Sequence, residues 1–270
     1  MALVLQKIYK FYDYHFNENV DERIKDLFLM QSPWLITCIV GGYVFFVTGF
    51  GQRLMKDRKA FDLTSIINIY NIIQVFLNLF MGLGALITLF DMDDLNLTCV
   101  PVARLIKTEM GMKIIRFSHM YHLIKVIDLL DTIFFILRKK NHQVSFLHIY
   151  HHAVMAGGTY LYIKFCSGGG QPLSLGIINS FVHVIMYGYY FLTSFKPELK
   201  QSIWWKKHIT QIQMIQFAVI IFHHLLPLYY ECSFPKTLSA IVAFQNIFML
   251  IMFSDFYVKA YIKKKSVKHN

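Results

Sequence analysis

The chain has little charge and lacks a recognisable cleavable signal peptide. Only 16% of its 270 residues are charged, whereas 56% are hydrophobic. Such a composition, with apolar blocks longer than the period of an amphipathic helix, excludes an ordinary soluble domain and indicates a protein that crosses a membrane several times. The first thirty residues mix basic and acidic side chains and contain no apolar segment of the kind that signal peptidase removes. We therefore expect the first span to act as its own insertion signal.

Seven apolar blocks each come close to the roughly 20 residues that a helix needs to cross a bilayer. They cover approximately residues 34–50, 63–90, 115–137, 144–165, 172–195, 208–230 and 237–262. Hydropathy therefore predicts an all-α membrane protein with about seven transmembrane helices.

Basic residues gather on one side of these spans. They follow spans one and three, join spans five and six, and close the chain, whereas the loop after span two carries charges of both signs. By the positive-inside rule the basic segments are cytosolic and the N-terminus is lumenal. The net charge of +11 is spread over loops, so it indicates orientation and no nucleic-acid partner. The predicted division is a lumenal N-terminal segment (1–33), a seven-helix membrane domain (34–262) and a basic cytosolic tail (263–270).

Two features of the predicted lumenal side agree with this orientation. Asn96 begins an Asn-Leu-Thr glycosylation sequon in the loop after span two. Cys99 in that loop and Cys232 after span six would share an oxidising compartment, where a disulfide between them is allowed. The alternative is that all four cysteines are unpaired small apolar residues.

Span four contains the His-x-x-His-His box formed by His148, His151 and His152. Positions i, i+3 and i+4 place the three imidazoles within one helical turn. Titratable groups are costly to bury in hydrocarbon, so several together indicate a cavity, a metal site or a reaction centre. The alternative is a structural hydrogen-bonding role for each histidine.

Spans three, five and six carry three further polar sets. These are Lys125, Asp128, Asp131 and Thr132; His183, Met186, Tyr187 and Tyr190; and Thr210, Gln213 and Gln216. For the first set, a Lys125–Asp128 ion pair that holds helices together and a role in positioning the histidines or the substrate both remain open. For the other two sets, an aromatic packing stripe and interhelical hydrogen bonding are the alternatives to lining a polar cavity.

Basic side chains surround the predicted cytosolic mouth of this region. They are Lys139, Lys140, Lys206, Lys207 and Lys263. Such a ring would attract a phosphate-bearing substrate, and the alternative is that these lysines only set the membrane orientation.

In their order along the chain, these motifs resemble those of the elongases of very-long-chain fatty acids, the condensing enzymes of the endoplasmic reticulum membrane. The motifs are Lys125-x-x-Asp128-x-x-Asp131-Thr132, His148-x-x-His151-His152, His183-x-x-Met186-Tyr187-x-Tyr189-Tyr190 and Thr210-x-x-Gln213-x-x-Gln216. With the pattern of spans, the resemblance covers about residues 60–265. Two departures are visible: the family usually has Glu where this chain has Asp128, and Lys263-Lys264-Lys265 lies too far from Asn270 for the family's dilysine retrieval signal.

The resemblance implies a ring of six helices, spans two to seven, around an acyl tunnel, with span one outside. It implies that long-chain acyl-CoA and malonyl-CoA condense to a 3-oxoacyl-CoA two carbons longer, with release of carbon dioxide and CoA and without a metal or other cofactor. It also implies a location in the endoplasmic reticulum membrane. The expected partners are the bilayer, the reductase, dehydratase and second reductase that complete each elongation cycle, and a second copy of the chain in a homodimer.

The chemistry of imidazole suggests how the histidines would act. A neutral imidazole can attack a thioester, and the acyl-imidazole that forms stays reactive toward a carbon nucleophile. We expect His151 to accept the acyl group in a ping-pong cycle, with His148 and His152 orienting it or moving protons and His183 assisting. Gln213, Gln216 or an imidazolium would stabilise the malonyl-derived enolate.

Two other functions remain as alternatives. Membrane di-iron desaturases and hydroxylases also carry histidine boxes, but two irons need roughly eight histidine ligands and this chain has a single full box. A non-enzymatic seven-helix receptor or transporter would share the span pattern, but it would not need the clustered imidazoles.

Overall fold

The part of the protein described by the structure, a computed structural model that covers residues 2–93 and 95–263, is mostly helical. The helices are α1 (Ala2–Asp13), α2 (Glu22–Lys25), α3 (Pro33–Phe45), α4 (Gly51–Met55), α5 (Thr64–Phe90), α6 (Glu109–Ile127), α7 (Leu129–Leu137), α8 (Phe146–Cys166), α9 (Pro172–Phe195), α10 (Pro197–Gln201), α11 (Ile203–Tyr229) and α12 (Lys236–Tyr257). Within these ranges, β-structure is limited to one isolated bridge between Val102 and Gly169. Most of the predicted basic tail, from Lys264 onward, lies outside the described residues.

Five helical stretches in the described residues are long and apolar enough to cross a membrane. They are Pro33–Met55, Thr64–Phe90, Pro172–Phe195, Ile203–Tyr229 and Lys236–Lys263. The all-α membrane fold with several spans is thus confirmed, and the number seven stays a prediction. The other two predicted spans correspond to α6–α7 and α8, whose charged and histidine residues lower their hydropathy.

The structure corrects the single helix expected over residues 115–137. Asp128 separates α6 from α7, and its ψ of −18° tightens the backbone locally. The backbone N–H of Asp131 donates to the Asp128 carbonyl at 3.2 Å, a bond three residues back rather than four. Hydropathy did not reveal this break because the flanking residues keep an apolar helical pattern.

The described chain forms two compact units whose segments alternate in sequence. Unit 1 comprises Met1–Lys59, Val102–Val144 and His148–Gly169, and unit 2 comprises Ala60–Pro101, Ser145–Leu147 and Gly170–Asn270. The predicted division at residues 33 and 262 was based on the membrane spans, whereas the two units are defined by contacts within the folded chain. The predicted division stays a prediction.

The core of unit 1 joins the first span to the helices that carry two of the motifs. Tyr43 and Val47 from the first span pack with Leu129 and Ile136 of α7 and with Ala156 of α8. The hydroxyls of Tyr43 and Thr132 lie 2.8 Å apart in a buried hydrogen bond. The first span therefore fixes the position of α7 through a polar contact as well as through apolar packing.

An arginine holds the N-terminal segment of unit 1 in place. The Arg23 guanidinium donates to both carboxylate oxygens of Asp21, at 3.0 and 2.7 Å. It also donates to the carbonyls of Ala103 and Ile106, each at 2.8 Å. Gly111 leaves room for this arrangement, because a Cβ there would lie 2.1 Å from the Ile106 oxygen. The fork geometry of arginine lets this one side chain join the N-terminal segment to the turn at residues 103–106.

This contact makes the stability of unit 1 depend on pH. Burial alone would raise the pKa of Asp21, but hydrogen bonds from Arg23 and Ser167 lower it from 3.8 to about 2. The ionised Asp21 carboxylate stabilises the fold, and this stabilisation is fully present above pH 3.8. It is lost as the pH falls through the folded pKa of about 2, because the carboxylate is then protonated. We expect Asp21→Asn to destabilise the protein at neutral pH by about 1–2 kcal/mol. Thermal unfolding of both proteins between neutral pH and pH 2 tests this, and a difference that stays constant over that range would contradict it.

Unit 2 is a set of long helices with a polar interior. Helix α5 packs against α9, α9 against α11, and α11 against α12. On α5, the Gln74 amide donates to the Tyr70 hydroxyl at 2.9 Å, and the Asn78 amide donates to the Gln74 carbonyl at 2.9 Å. Gly82 permits close approach of α9, because a Cβ there would lie 3.3 Å from the Cβ of Ser180.

A histidine without a role in the sequence analysis fixes the loop between α5 and α6. His223 Nε2 lies 2.7 Å from the Leu97 carbonyl, to which it donates, and its Nδ1 lies 2.7 Å from the Ser174 hydroxyl. Gln171 accepts from the Val100 backbone N–H at 2.8 Å and donates to the Thr98 carbonyl at 3.2 Å. His223 is therefore a structural residue of unit 2.

In the same region, the structure joins Cys99 to Cys232 in a disulfide and leaves Cys38 and Cys166 as free thiols. The bridge closes a loop of 133 residues. Linking residues so far apart removes entropy from the unfolded chain, so we expect Cys99→Ser to lower the free energy of unfolding by about 2–5 kcal/mol. The exposed thiol of Cys38 provides a matched control, because Cys38→Ser should leave the unfolding temperature unchanged. Equal unfolding temperatures for the two variants would contradict a stabilising bridge.

Candidate functional site

The histidine box lies on α8 in unit 1. The ring centroids of His148 and His152 are 4.3 Å apart, and those of His151 and His152 are 5.6 Å apart. Phe135 of α7 packs on His148 at 5.3 Å. His152 is buried and contacts both other imidazoles, whereas His148 and His151 are half-buried. The i, i+3, i+4 spacing thus brings the three imidazoles together, as the sequence predicted.

The charged motif of span three belongs to the same unit. Lys125 Nζ lies 2.9 Å from Asp128 Oδ2, and both side chains are 2% exposed. The ammonium also lies 5.0 Å from the ring centroid of Tyr121. Thr132 is buried against Tyr43, whereas Asp131 is half-buried beside this face. The ion pair expected from the sequence is present, at the break between α6 and α7.

The motif of span five is assembled within unit 2. His183 and Tyr187 are buried, and their ring centroids are 5.5 Å apart. Tyr187 packs edge-on against Tyr70 of α5 at 5.8 Å, and the two hydroxyls are 3.5 Å apart. Tyr190, packed against Tyr187, is 44% exposed and lies at the edge of the cluster.

The Thr-Gln stripe of α11 extends this cluster. Gln213 contacts Met186 of α9, with 3.7 Å between its amide nitrogen and the Met186 sulfur. Gln216 is buried, and its Oε1 has no hydrogen-bond partner among the described residues. The Thr210 hydroxyl donates to the Lys206 carbonyl at 2.9 Å and lies 3.4 Å from the Tyr261 hydroxyl. The second and third polar sets of the sequence analysis are therefore neighbours in unit 2.

The lysines of the predicted cytosolic mouth are divided between the units. In unit 1, the exposed Lys139 donates to the Lys56 carbonyl at 2.9 Å, and Lys140 is half-buried beside it in sequence. In unit 2, the half-buried Lys207 lies 6.0 Å from the Tyr257 ring, and Lys206 and Lys263 are exposed. Their role in binding phosphate stays a prediction.

The remaining candidate sites are the glycosylation sequon at Asn96 and a metal site. Asn96 is exposed, and its side-chain oxygen accepts from the backbone N–H of Thr98 at 2.9 Å and from its hydroxyl at 2.7 Å. Glycosylation of Asn96 stays a prediction. Within residues 2–93 and 95–263, no three histidine, cysteine, aspartate or glutamate side chains lie close enough together to hold a metal ion.

The polar partners of the motif residues were not predicted from the sequence. Tyr43 gives no local signal, because a single tyrosine in an apolar span resembles any interfacial aromatic residue. Tyr70, Gln74 and Asn78 do give a signal, since their spacing of four places three polar side chains on one face of a membrane helix.

Comparison with known proteins identifies the family. The GNS1/SUR4 family profile matches residues 28–269. Very long chain fatty acid elongase F of Drosophila simulans is 38% identical over 251 residues, which cover 90% of this chain and 94% of the relative. Very long chain fatty acid elongase 4 of Homo sapiens is 39% identical, with 92% and 78% covered. Very long chain fatty acid elongase 7 of Rattus norvegicus is 35% identical, with 94% and 90% covered. With ordered motifs on membrane helices and a match over most of its length, this chain belongs to the GNS1/SUR4 family of fatty acid elongases.

Proposed function

We propose that this protein is a condensing enzyme of fatty-acid elongation, a 3-oxoacyl-CoA synthase that joins long-chain acyl-CoA to malonyl-CoA. Its place would be the endoplasmic reticulum membrane, with the N-terminus lumenal and the C-terminus cytosolic. The observation that carries the proposal is the group of three imidazoles on α8, with ring centroids 4.3 and 5.6 Å apart. Membership in the elongase family supports the reaction class.

Among the three histidines, His151 suits the role of nucleophile best. His152 is buried and contacts both other imidazoles, and His148 packs against Phe135 and His152. His151 is half-buried and meets His152 edge-on, so an incoming thioester would approach it with the least rearrangement. The neighbouring rings would orient it and take up or return its proton.

The proposed reaction has two halves. The neutral His151 imidazole attacks the thioester carbonyl, a C–N bond forms, the C–S bond breaks, and CoA leaves as a thiolate that takes up a proton. Malonyl-CoA then loses carbon dioxide, and its enolate carbon attacks the acyl-imidazole to release 3-oxoacyl-CoA and the free imidazole. His183 would assist, and the amides of Gln213 and Gln216 would donate to the enolate oxygen. No metal or other cofactor takes part in this scheme.

Substrates and partners follow from the same scheme. Both CoA esters would arrive from the cytosol, where Lys139, Lys140, Lys206, Lys207 and Lys263 would attract their phosphates. The 3-oxoacyl product needs a ketoacyl-CoA reductase, a dehydratase and an enoyl-CoA reductase to become a saturated chain.

The test is an assay of products by mass spectrometry. Protein purified in detergent is incubated with a panel of acyl-CoAs, with and without malonyl-CoA. We expect 3-oxoacyl-CoA two carbons longer only when malonyl-CoA is present, and free CoA with acylated protein when it is absent. Folded protein that extends none of the panel, or that releases no CoA without malonyl-CoA, would contradict the reaction or its two-step course respectively.

A further inference from the structure

Two fully buried amide side chains, Gln74 and Asn78, lie in the middle of α5. The Asn78 amide donates to the backbone carbonyl of Gln74 at 2.9 Å and to its side-chain oxygen at 3.2 Å. The amide nitrogen of Gln74 is thereby directed toward Tyr70, to whose hydroxyl it donates at 2.9 Å. Asn78 therefore orients the Gln74 side chain, and Gln74 in turn holds the Tyr70 hydroxyl.

Tyr70 connects these amides to the motif on α9. Its ring packs edge-on against Tyr187, with centroids 5.8 Å apart, and the two hydroxyls are 3.5 Å apart. The fully buried Tyr187 packs edge-on against His183 at 5.5 Å. The result is a row of successive contacts inside unit 2 that runs through Asn78, Gln74, Tyr70, Tyr187 and His183.

Packing of α5 against α9 does not by itself require the amides. Nearer the end of α5, the two helices meet through Met81 and Gly82: the Ser180 hydroxyl donates to the Met81 sulfur at 3.2 Å, and Gly82 allows close approach to the Ser180 side chain. A buried amide is costly in a membrane unless it is hydrogen-bonded, and a hydrogen bond fixes direction as well as distance. The bonds of Gln74 thus add a fixed orientation to an interface that is already packed.

The cluster that this row reaches also contains a group proposed to stabilise the enolate. Met186 lies one helical turn after His183 on α9. The amide nitrogen of Gln213, a proposed donor to the enolate oxygen, is 3.7 Å from the Met186 sulfur. His183 therefore belongs to the same part of unit 2 as the groups assigned to the second half of the reaction.

We propose that Gln74 and Tyr70 are positioning residues, which hold Tyr187 and through it His183 for the condensation half of the reaction. A displacement on the order of 1 Å at a reacting group can cost about 100-fold in rate, so contacts that fix an imidazole affect the step that uses it. The inference rests on the proposed function and on the assisting role of His183 within it. Acylation then depends on the histidine box, whereas condensation also depends on the buried row of unit 2.

The experiment measures the two halves of the reaction separately in full-length protein purified in detergent. Gln74→Met replaces the amide by an apolar chain of similar length, and Tyr70→Phe removes only the hydroxyl. Thr88→Val is the matched control, because Thr88 is buried on the same helix but its hydroxyl donates to the Gly84 carbonyl at 2.8 Å, within α5. With the acyl-CoA that the wild type extends fastest, single-turnover mass spectrometry measures release of CoA before malonyl-CoA is added and formation of 3-oxoacyl-CoA afterwards.

We expect Gln74→Met and Tyr70→Phe to release CoA at the wild-type rate but to form 3-oxoacyl-CoA about ten-fold more slowly. Because the two residues act in one row, the double variant should be no slower than the slower single variant. Thr88→Val should match the wild type in both halves.

Wild-type rates of product formation in both variants would overturn the positioning role. Equal losses in both halves would also overturn it, because a merely weakened helix interface lowers the amount of active protein and so slows both steps together. In these two cases the wild type still condenses, and the proposed function stands. If the wild type forms no 3-oxoacyl-CoA, the proposed function fails and the positioning role fails with it.

Discussion

Replacing His151 by alanine is expected to reduce formation of 3-oxoacyl-CoA by at least about a thousand-fold. The reason is that both halves of the proposed reaction use the same imidazole, first as nucleophile and then as leaving group. Single-turnover mass spectrometry measures both halves, since release of CoA without malonyl-CoA reports the first and the 3-oxoacyl product reports the second. Both signals should be lost together.

His142 offers a matched control in the same unit. It is exposed in the short turn before α8 and lies outside the motifs. His142→Ala should therefore keep wild-type rates and wild-type stability. If His151→Ala still becomes acylated, the nucleophile is another group. If His151→Ala binds acyl-CoA as tightly as the wild type does, and the wild type shows no turnover, the protein is better described as a receptor or transporter.

Breaking the buried pair of Lys125 and Asp128 is expected to have the largest effect on stability. Both side chains are 2% exposed and lie 2.9 Å apart. Lys125→Met would leave the Asp128 carboxylate buried without its ammonium partner, which costs about 3–5 kcal/mol. Thermal unfolding in detergent should show this loss for Lys125→Met and for Asp128→Leu. A loss below 1 kcal/mol for both would indicate that solvent reaches the pair.

A double variant separates the two roles left open by the sequence. Replacing the pair by Met and Leu removes both charges, so most of the stability lost in the single variants should return. If the pair only holds α6 and α7 together, condensation returns with stability. If the pair also positions the histidine box, the double variant folds well but keeps a low kcat with an unchanged KM for acyl-CoA. Activity measured on protein of matched stability decides between them.

Periodicity and spacing predicted the parts of this protein that depend on local sequence. Long apolar blocks placed α5, α9, α11 and α12 correctly, because a membrane span needs a continuous apolar segment. The i, i+3, i+4 spacing predicted the imidazole cluster and the Lys125–Asp128 pair, since helical geometry alone brings such residues together.

Contacts between distant segments could not be predicted in the same way. Nothing near Tyr43 indicates that its hydroxyl meets Thr132, because the two residues are 89 positions apart. The Arg23 contacts with Ala103 and Ile106 are hidden for the same reason. The break at Asp128 was missed because a one-residue change of backbone angle leaves the apolar pattern intact. The role of His223 was not predicted because its partners are a backbone carbonyl and a serine hydroxyl. Such groups occur throughout the chain, so no sequence pattern indicates which of them bind His223.

The alternation of the two units along the chain sets an order for biosynthesis. Helix α5 packs against α9, yet the last two segments of unit 1 are made between them. During synthesis α5 therefore enters the bilayer before the helix against which it packs, while α6, α7 and α8 emerge behind it. Cys99 must likewise wait for Cys232, which is made near the end of the chain. Nascent unit 2 is thus an open intermediate until α9 has been made.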